Sequence, residues 1–239
     1  MKLSGALLAL FTLSVGNMMG AALSFNWDVA NLGAQSKGTS FDGSVDTNPV
    51  AGLGATAMFS LVSVNVARTT WTFDVKVTET GSLDARVSGL GFVDISDDNI
   101  PSENAISGSV IIADGSTWSF LLGGSFPNSF GSLEACLSNP PNCQGGGGGG
   151  VANGTSKTVR FSLTFDDPTN TVTFNSLGVR YQSINGTSGG TTFDGDSGTG
   201  RDIGDPFTPG NEPGVPEPST VALIGLGLTG LAVASRRRK

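Results

Sequence analysis

Two stretches of the chain alternate strictly between apolar and polar side chains, which is the pattern of a β-strand that buries one face. Residues 71–77 place one tryptophan, one phenylalanine and two valines on the same side, and residues 159–165 place valine, leucine and two phenylalanines there. A third stretch, residues 57–66, stays apolar for longer, so we expect it to change face or carry a bulge. Weaker strand candidates are residues 23–28, 83–87, 89–95, 107–113, 117–122, 171–175 and 177–183. The sequence therefore predicts nine or ten strands.

Turn signals between these candidates indicate how the strands are joined. Thr-Gly-Ser at 80–82, Asp-Gly-Ser at 114–116 and Asp-Asp-Pro-Thr-Asn at 166–170 each favour a tight reversal. Tight reversals join antiparallel neighbours, so we predict that residues 25–193 form an all-β domain, an antiparallel two-sheet β-sandwich that is jelly-roll-like. Residues 194–214 are rich in Gly, Pro and Asp, and we expect a disordered linker there.

The composition removes whole classes of catalytic site. The 239 residues include no histidine, two cysteines and one tyrosine. Without histidine there is no histidine general base, no Ser-His-Asp or Cys-His nucleophile system and no histidine zinc ligand. Twenty acids face thirteen cations, and five of those cations lie at the two ends of the chain, at Lys2 and residues 236–239. The part of the chain between these two ends is therefore strongly acidic, and we do not expect it to bind nucleic acid. No enzyme activity is predicted.

The N-terminus has the pattern of a secretory signal peptide over residues 1–24. Lys2 is followed by an apolar run over residues 3–15 and then by small residues at positions 20–22 and 24. This segment predicts a signal helix that the general secretion machinery exports and that signal peptidase removes. The alternative is a buried N-terminal helix or strand.

The C-terminus combines a proline motif, an apolar span and a basic end. The motif is Val215, Pro216, Glu217 and Pro218, and the last four residues are Arg236, Arg237, Arg238 and Lys239. Between them, residues 219–235 carry no charge, and as a helix they would span about 25 Å against a hydrocarbon core of about 30 Å. The sequence predicts a transmembrane helix there, with the four cations holding its end in the cytoplasm. A simple tail anchor is the alternative.

These three parts, in this order, closely resemble the PEP-CTERM sorting signal over residues 215–239. The resemblance implies recognition by an exosortase, cleavage near Pro-Glu-Pro and removal of the transmembrane helix. It further implies a Gram-negative bacterium, a transient anchor in the inner membrane, and a final place at the cell surface or in a biofilm matrix. Proteins with this signal commonly accompany exopolysaccharide genes, so exopolysaccharide is the partner that the resemblance suggests.

Residues 126–151 form a distinct segment that contains both cysteines and six consecutive glycines. In an exported protein an even cysteine count predicts a disulfide, here between Cys136 and Cys143. The glycines at 145–150 favour a flexible tether, and the alternative is a close-packed segment with no room for side chains. With the element Phe-Pro-Asn-Ser-Phe-Gly at 126–131, the segment resembles the cistern subfamily of PEP-CTERM proteins, which implies no activity.

Carboxylates are the remaining source of acid–base or metal chemistry. Asp94, Asp97 and Asp98 form one cluster and residues 166–167 another, and both are expected to be turn residues. No cofactor is predicted. Asp194 and Asp196, two residues apart beside glycines, are weak candidates for calcium, with residues 97–99 as a further oxygen source; these acids do not complete an EF-hand.

Wide aromatic rings and two Asn-Gly-Thr sequences complete the candidate features. The wide rings are those of Trp27, Trp71, Trp118 and Tyr181, which would stack on sugars if exposed. The alternation around Trp71 and Trp118 favours the core, whereas Trp27, between Asn26 and Asp28, fits either position. The Asn-Gly-Thr sequences at residues 153–155 and 185–187 match the glycosylation acceptor pattern, but we favour turns.

Three functions fit these features. The first is an exported non-enzymatic surface or matrix protein, which the two ends favour. The second is a glycan-binding jelly-roll module, which would need exposed tryptophans. The third is a carboxylate-dependent carbohydrate-active enzyme, which would need two carboxyls about 5 to 10 Å apart across a cleft.

Overall fold

The computed structural model describes residues 24–33, 36–97, 107–113, 118–127, 130–145 and 148–204. The predicted signal helix, the end of the predicted linker and the C-terminal sorting signal lie outside these residues. Asp98 also lies outside them.

The described residues form sixteen β-strands and one turn of 3₁₀ helix, Val29–Asn31. The first eight strands are β1 Ser24–Asp28, β2 Ser36–Phe41, β3 Ser44–Val45, β4 Asn48–Pro49, β5 Ala55–Val64, β6 Thr70–Glu79, β7 Asp84–Asp97 and β8 Ser107–Ala113. The others are β9 Ser119–Leu122, β10 Ser125–Phe126, β11 Gly131–Ser132, β12 Ala135–Ser138, β13 Val151–Ala152, β14 Ser156–Thr164, β15 Thr171–Ser188 and β16 Thr191–Gly204. The predicted all-β class is confirmed.

The main sheet is antiparallel and nearly closed on itself. Its strands follow the order β8-β14-β6-β5-β2-β16-β15-β7-β12-β9. The two end strands, β8 and β9, contact each other, which brings the ends of this path together. Strand β1 adds to β15, and β13 adds to β7, while β10 and β11 form a separate small hairpin. One sheet therefore wraps around a single main core.

Aromatic rings from opposite parts of the sheet fill that core. Phe73 on β6 lies 5.0 Å from Phe174 on β15, measured between ring centroids, and Phe92 on β7 lies 5.2 Å from Phe174. Trp71 and Phe161 are fully buried beside them. The strict alternation in β6 and β14 therefore predicted which side chains face inward. Each such ring contributes about 1.5–3 kcal/mol through burial.

Three long strands depart from the simple period of two at a position within their length. The expected bulge in β5 is present between Leu61 and Ser63. Strand β15 joins two weaker candidates into one strand of 18 residues, and Ser176 with a positive φ of 51° lies where they meet. Strand β7 likewise joins two candidates across Ser88. Polar residues that look like strand ends in the sequence are therefore interruptions within continuous strands.

The expected boundary at residue 193 is wrong, because β16 continues to Gly204. Residues 194–204 were expected to be linker on account of their Gly and Asp content. Gly198 and Gly200 are instead buried, and a Cβ on Gly200 would lie 3.0 Å from the Tyr181 ring. Gly198 and Gly200 allow neighbouring groups to pack closely against the backbone of β16. Glycine content therefore did not indicate a linker in this segment.

Candidate functional site

A second apolar cluster lies outside the main core, on the outer face of β7, β12 and β15. We call residues 123–134 and 139–150, on either side of β12, the cap. The buried members of the cluster are Phe126, Phe130, Leu133 and Cys143 of the cap and Cys136 of β12. The first part of the cap connects β9 to β12, and the second connects β12 to β13. The segment that stood out in the sequence is therefore a small folded unit with its own core.

Glycines on the strands beneath the cap make room for its rings. A Cβ on Gly178 of β15 would collide with the ring of Phe130. A Cβ on Gly91 of β7 would lie 2.8 Å from Leu133 and 2.9 Å from Phe126. The sheet thus presents a glycine-lined trough that the cap side chains fill.

The predicted disulfide between Cys136 and Cys143 is present. Cys136 is fully buried on β12, and Cys143 packs against Gly124, so the bond joins the far end of the cap to the sheet. Three of the described glycines of the 145–150 run, Gly145, Gly149 and Gly150, follow the close-packed alternative, whereas a Cβ on Gly148 would meet nothing within 4 Å. A Cβ on Gly149 would lie 2.5 Å from the Asn139 side-chain oxygen, and one on Gly150 would lie 2.9 Å from the Ser88 Cα.

Two arginines on strands of the sheet donate hydrogen bonds to the cap and so attach it to the sheet; sequence analysis did not single them out. Arg180 is buried on β15 and donates hydrogen bonds to the carbonyls of Gln144, at 2.9 Å, and Gly198, at 2.7 Å. Burial lowers the pKa of Arg180 to about 10, so it stays charged at neutral pH. Arg201 on β16 donates to the Phe130 carbonyl at 2.7 Å and lies 4.3 Å from the centre of its ring. The signal in the sequence that could have identified both arginines is a cation within a glycine-rich strand.

The two predicted carboxylate clusters lie in different kinds of structure: the described members of the first lie on a strand, and the second lies in a connection. Asp94 and Asp97 lie on β7, so the expectation of a turn is wrong for both. Asp94 accepts a hydrogen bond from the Asn175 amide at 2.6 Å, and Asp97 accepts one from the Thr169 hydroxyl at 2.8 Å. Strand β7 runs past the point where the sequence suggested a turn because its outer positions tolerate acids with such partners. Residues 166–167 lie in the exposed connection before β15, as expected.

Glu79, the last residue of β6, is a buried carboxylate that the sequence analysis missed. It is 1% exposed and accepts hydrogen bonds from the backbone amides of Gly81 and Gly154, both at 3.0 Å. Burial is the main cause that raises its pKa, opposed by those two hydrogen bonds. Its position on the inward side of an alternating strand was the signal that could have identified it.

The calcium candidates Asp194 and Asp196 are exposed on β16. The Asp196 carboxylate accepts a hydrogen bond from the Asp194 backbone amide at 3.1 Å. Among the described residues, no three acidic, cysteine or histidine side chains are grouped so that they could hold a metal ion. Calcium at these positions stays a prediction without structural support.

The four wide aromatic rings are all buried, which confirms the core positions favoured for Trp71 and Trp118 and contradicts the alternative of an aromatic sugar platform. Trp27, Trp71, Trp118 and Tyr181 are each at most 6% exposed. The Tyr181 hydroxyl donates to the Asp42 carbonyl at 2.8 Å, and burial raises its pKa well above the ordinary value. These rings fill the closed core rather than present a surface.

The two Asn-Gly-Thr sequences differ in their structures. Residues 153–155 form the predicted turn between β13 and β14, with a positive φ of 64° at Gly154. Residues 185–187 lie within β15, so the turn expected there is wrong. The hairpin continues to Gly189 and Gly190, whose positive φ values of 56° and 84° supply the reversal.

Comparison with known proteins identifies one segment of the chain as a known sorting motif. Residues 214–239 match the family model of the PEP-CTERM protein-sorting motif. Neither the curated proteins nor the solved structures include a match to the chain. The resemblance of residues 126–151 to the cistern subfamily stays a prediction.

The sorting motif implies a secreted protein with a C-terminal membrane anchor that an exosortase processes. The part of the chain that the structure describes contains no helix with the length and apolar composition needed for a membrane crossing. The helix predicted over residues 219–235 lies outside that part.

Proposed function

We propose that this chain is an exported, non-enzymatic protein of the cell surface or extracellular matrix, associated with biofilm or exopolysaccharide, and that an exosortase sorts and cleaves it. The sorting motif at residues 214–239 carries the proposal. The proposed route runs through the general secretion machinery and signal peptidase to a transient anchor in the inner membrane of a Gram-negative bacterium. Exosortase cleavage then releases the folded part to the surface or matrix.

The surroundings of the carboxylates support a structural role for them. Glu79 is buried and engaged by two backbone amides, while Asp94 and Asp97 accept hydrogen bonds from neighbouring side chains. Asp74 forms a two-point ion pair with Arg160, with both nitrogen–oxygen distances 2.7 Å. These partners organise loops and strands, whereas the alternative of a carbohydrate-active enzyme requires two carboxyls facing each other across a cleft.

The charge of the folded part supports a partner other than nucleic acid. Its described residues carry fourteen acids and eight cations. Such an excess of negative charge repels phosphate backbones and keeps an exported protein soluble.

We also propose the finer description of the fold as a two-sheet, jelly-roll-like sandwich, in which opposite halves of the nearly closed sheet are the two layers. Two observations support it: strands β5, β6 and β14 face β7 and β15 across the aromatic core, and β16 pairs first with β15 and then with β2. A strand that passes from one layer to the other is typical of sandwich corners.

Processing can be tested in the native host with an antiserum raised against the protein. The variant Pro216→Ala/Glu217→Ala/Pro218→Ala removes the motif, and we expect the protein to keep the mass of its C-terminal helix and stay in the membrane fraction. The wild-type protein should lose the mass of the C-terminal helix and reach the surface or matrix fraction.

The nearby Glu-Pro sequence offers a matched control, because Glu212→Ala/Pro213→Ala changes the same residue types outside the Pro-Glu-Pro motif. This variant should be processed as the wild type is. The proposal fails if the motif variant is shortened and exported normally, or if deleting the exosortase leaves the mass of the wild-type protein unchanged.

A further inference from the structure

The outer surface of β5, β6 and β14 differs in chemistry from the capped surface. On β6 and β14, seven of the ten side chains that alternate with the core side chains are Ser or Thr, and all of these except the buried Ser162 are at least partly exposed. They are Thr70, Thr72, Thr78, Ser156, Thr158, Ser162 and Thr164. Neighbouring strands extend the pattern with Ser36, Thr56, Ser60, Ser107 and Ser109. We call this surface the hydroxyl face.

The strand register aligns these hydroxyl side chains in rows across the sheet. Thr56, Thr78 and Ser156 form one row across β5, β6 and β14. Thr72 and Ser162 belong to another, which continues to β8, where the hydroxyl oxygens of Ser109 and Ser162 lie 3.0 Å apart. At about 3.3 Å per residue and about 4.8 Å between strands, the face measures roughly 30 Å by 15–20 Å. It can therefore accommodate several units of an extended polymer.

The hydroxyl face is close to neutral although the protein as a whole is acidic. At its centre Asp74 and Arg160 neutralise each other through their two-point ion pair, with side chains 28% and 36% exposed. Lys76 is the one further charged side chain among the ten outward positions of β6 and β14. The face thus offers donors and acceptors at low net charge, which distinguishes it from the acidic remainder of the molecule.

We propose that the hydroxyl face binds an extended neutral polysaccharide. A Ser or Thr hydroxyl has one donor and two acceptor positions, as a sugar hydroxyl does, so rows of them can exchange hydrogen bonds with a chain of sugars. The central ion pair adds charge-assisted donors and acceptors without attracting ions. A strongly anionic polymer is disfavoured, because the acids elsewhere on the domain repel it.

Binding through hydroxyl groups does not need exposed aromatic rings. Stacking of sugars on tryptophan rings does need them, and the tryptophans are buried. Without stacking, each site contributes little, so we expect weak affinity for short oligosaccharides and measurable binding only to polymers that contact several rows. The assignment rests on the proposed function and deepens it by naming the class of matrix component. The two fail separately, because processing is measured at the C-terminal motif and binding on the described strands.

Affinity electrophoresis tests the assignment on the full chain, held in a polyoxyethylene detergent that carries no sugar. Native gels contain hydroxyethylcellulose as the neutral polymer or alginate as the anionic one. We expect retardation that increases with hydroxyethylcellulose concentration, and none with alginate. The variant Thr56→Val/Thr72→Val/Thr78→Val keeps β-branched side chains and removes three hydroxyls, so its apparent dissociation constant should rise at least about fivefold.

A matched control places the same three changes on the exposed hairpin of β15 and β16. Thr187→Val/Thr191→Val/Thr192→Val should bind as the wild type does. Thermal melting establishes that each variant folds, and if the face triple unfolds, the pair Thr56→Val/Thr78→Val replaces it. The proposal is overturned if the wild type runs unretarded in hydroxyethylcellulose, if only alginate retards it, or if both Thr→Val sets lose binding equally.

Discussion

At the scale of single residues, Glu79 links two loops at one end of the sheet. Its carboxylate accepts hydrogen bonds from the amides of Gly81 and Gly154, which lie in different connections. A carboxylate placed there accepts from two partly buried backbone amides, which a side chain that only donates hydrogen bonds could not do. The cost is desolvation of the charge, which raises the pKa of Glu79.

That shift predicts a dependence of stability on pH. Because the pKa of Glu79 is higher in the folded protein, the folded state binds its proton more readily than the unfolded state does. Its contribution to the free energy of unfolding is therefore largest at low pH, falls as pH rises from the ordinary pKa of 4.5 through the raised value, and is constant above that. Glu79→Gln has no titrating group, so the stability of the variant relative to wild type should improve across that window.

Urea unfolding at a series of pH values from about 4 to 7 measures this difference. A constant offset is expected in addition, since the glutamine amide accepts only one of the two hydrogen bonds. Thr192→Val, on the exposed hairpin of β15 and β16, changes no titrating group and should give no such slope. If the difference in the free energy of unfolding between wild type and Glu79→Gln does not change with pH, a raised pKa of Glu79 does not explain the effect.

At the scale of elements, the cap is expected to open without disturbing the main core. The disulfide and the two arginines tie the cap to the sheet, whereas Trp27, Trp71 and Trp118 belong to the main core. Cys136→Ala/Cys143→Ala removes the loop closure, which costs about 2 kcal/mol. In mild urea we expect this variant to be cleaved by protease within residues 139–150 while its tryptophan fluorescence stays native.

Wild type under the same conditions should resist cleavage, and reductant should make it behave as the double variant does. If cleavage in the double variant begins only when the tryptophan fluorescence changes, the cap and the main core unfold together. That result would rule out the cap as a separate unit.

The elements that sequence predicted correctly are those specified by their own alternation. Strands β5, β6 and β14 follow from a local pattern, and the disulfide follows from the cysteine count. The errors involve contacts between residues distant in sequence. Gly198 and Gly150 lie in segments with the composition of a linker, and only the backbone carbonyls of Ser44 and Val87 packed against them reveal close packing. The turn expected near Asp94 failed for the same reason, since its partner Asn175 lies 81 residues away.

At the scale of the whole molecule, β16 determines whether the sheet closes. It pairs with β15 along most of its length and then reaches β2, where Asp202 aligns with Phe41 and Gly204 with Ser40. The Thr39 hydroxyl donates to the Gly204 carbonyl at 3.1 Å. Without this strand, β2 and β15 would become open edges on either side of the aromatic core.

The position of the domain boundary therefore has a measurable consequence. A chain ending at residue 193, as the sequence suggested, lacks most of β16, while one ending at residue 204 retains it. We expect the longer chain to unfold cooperatively in urea and the shorter one to aggregate or unfold without a sharp transition. Near-ultraviolet circular dichroism reports the packed rings directly, so the shorter chain should lose that signal. Equal midpoints for the two chains would mean that the fourteen-residue strand does not close the fold, and that β15 and β2 are stable without it.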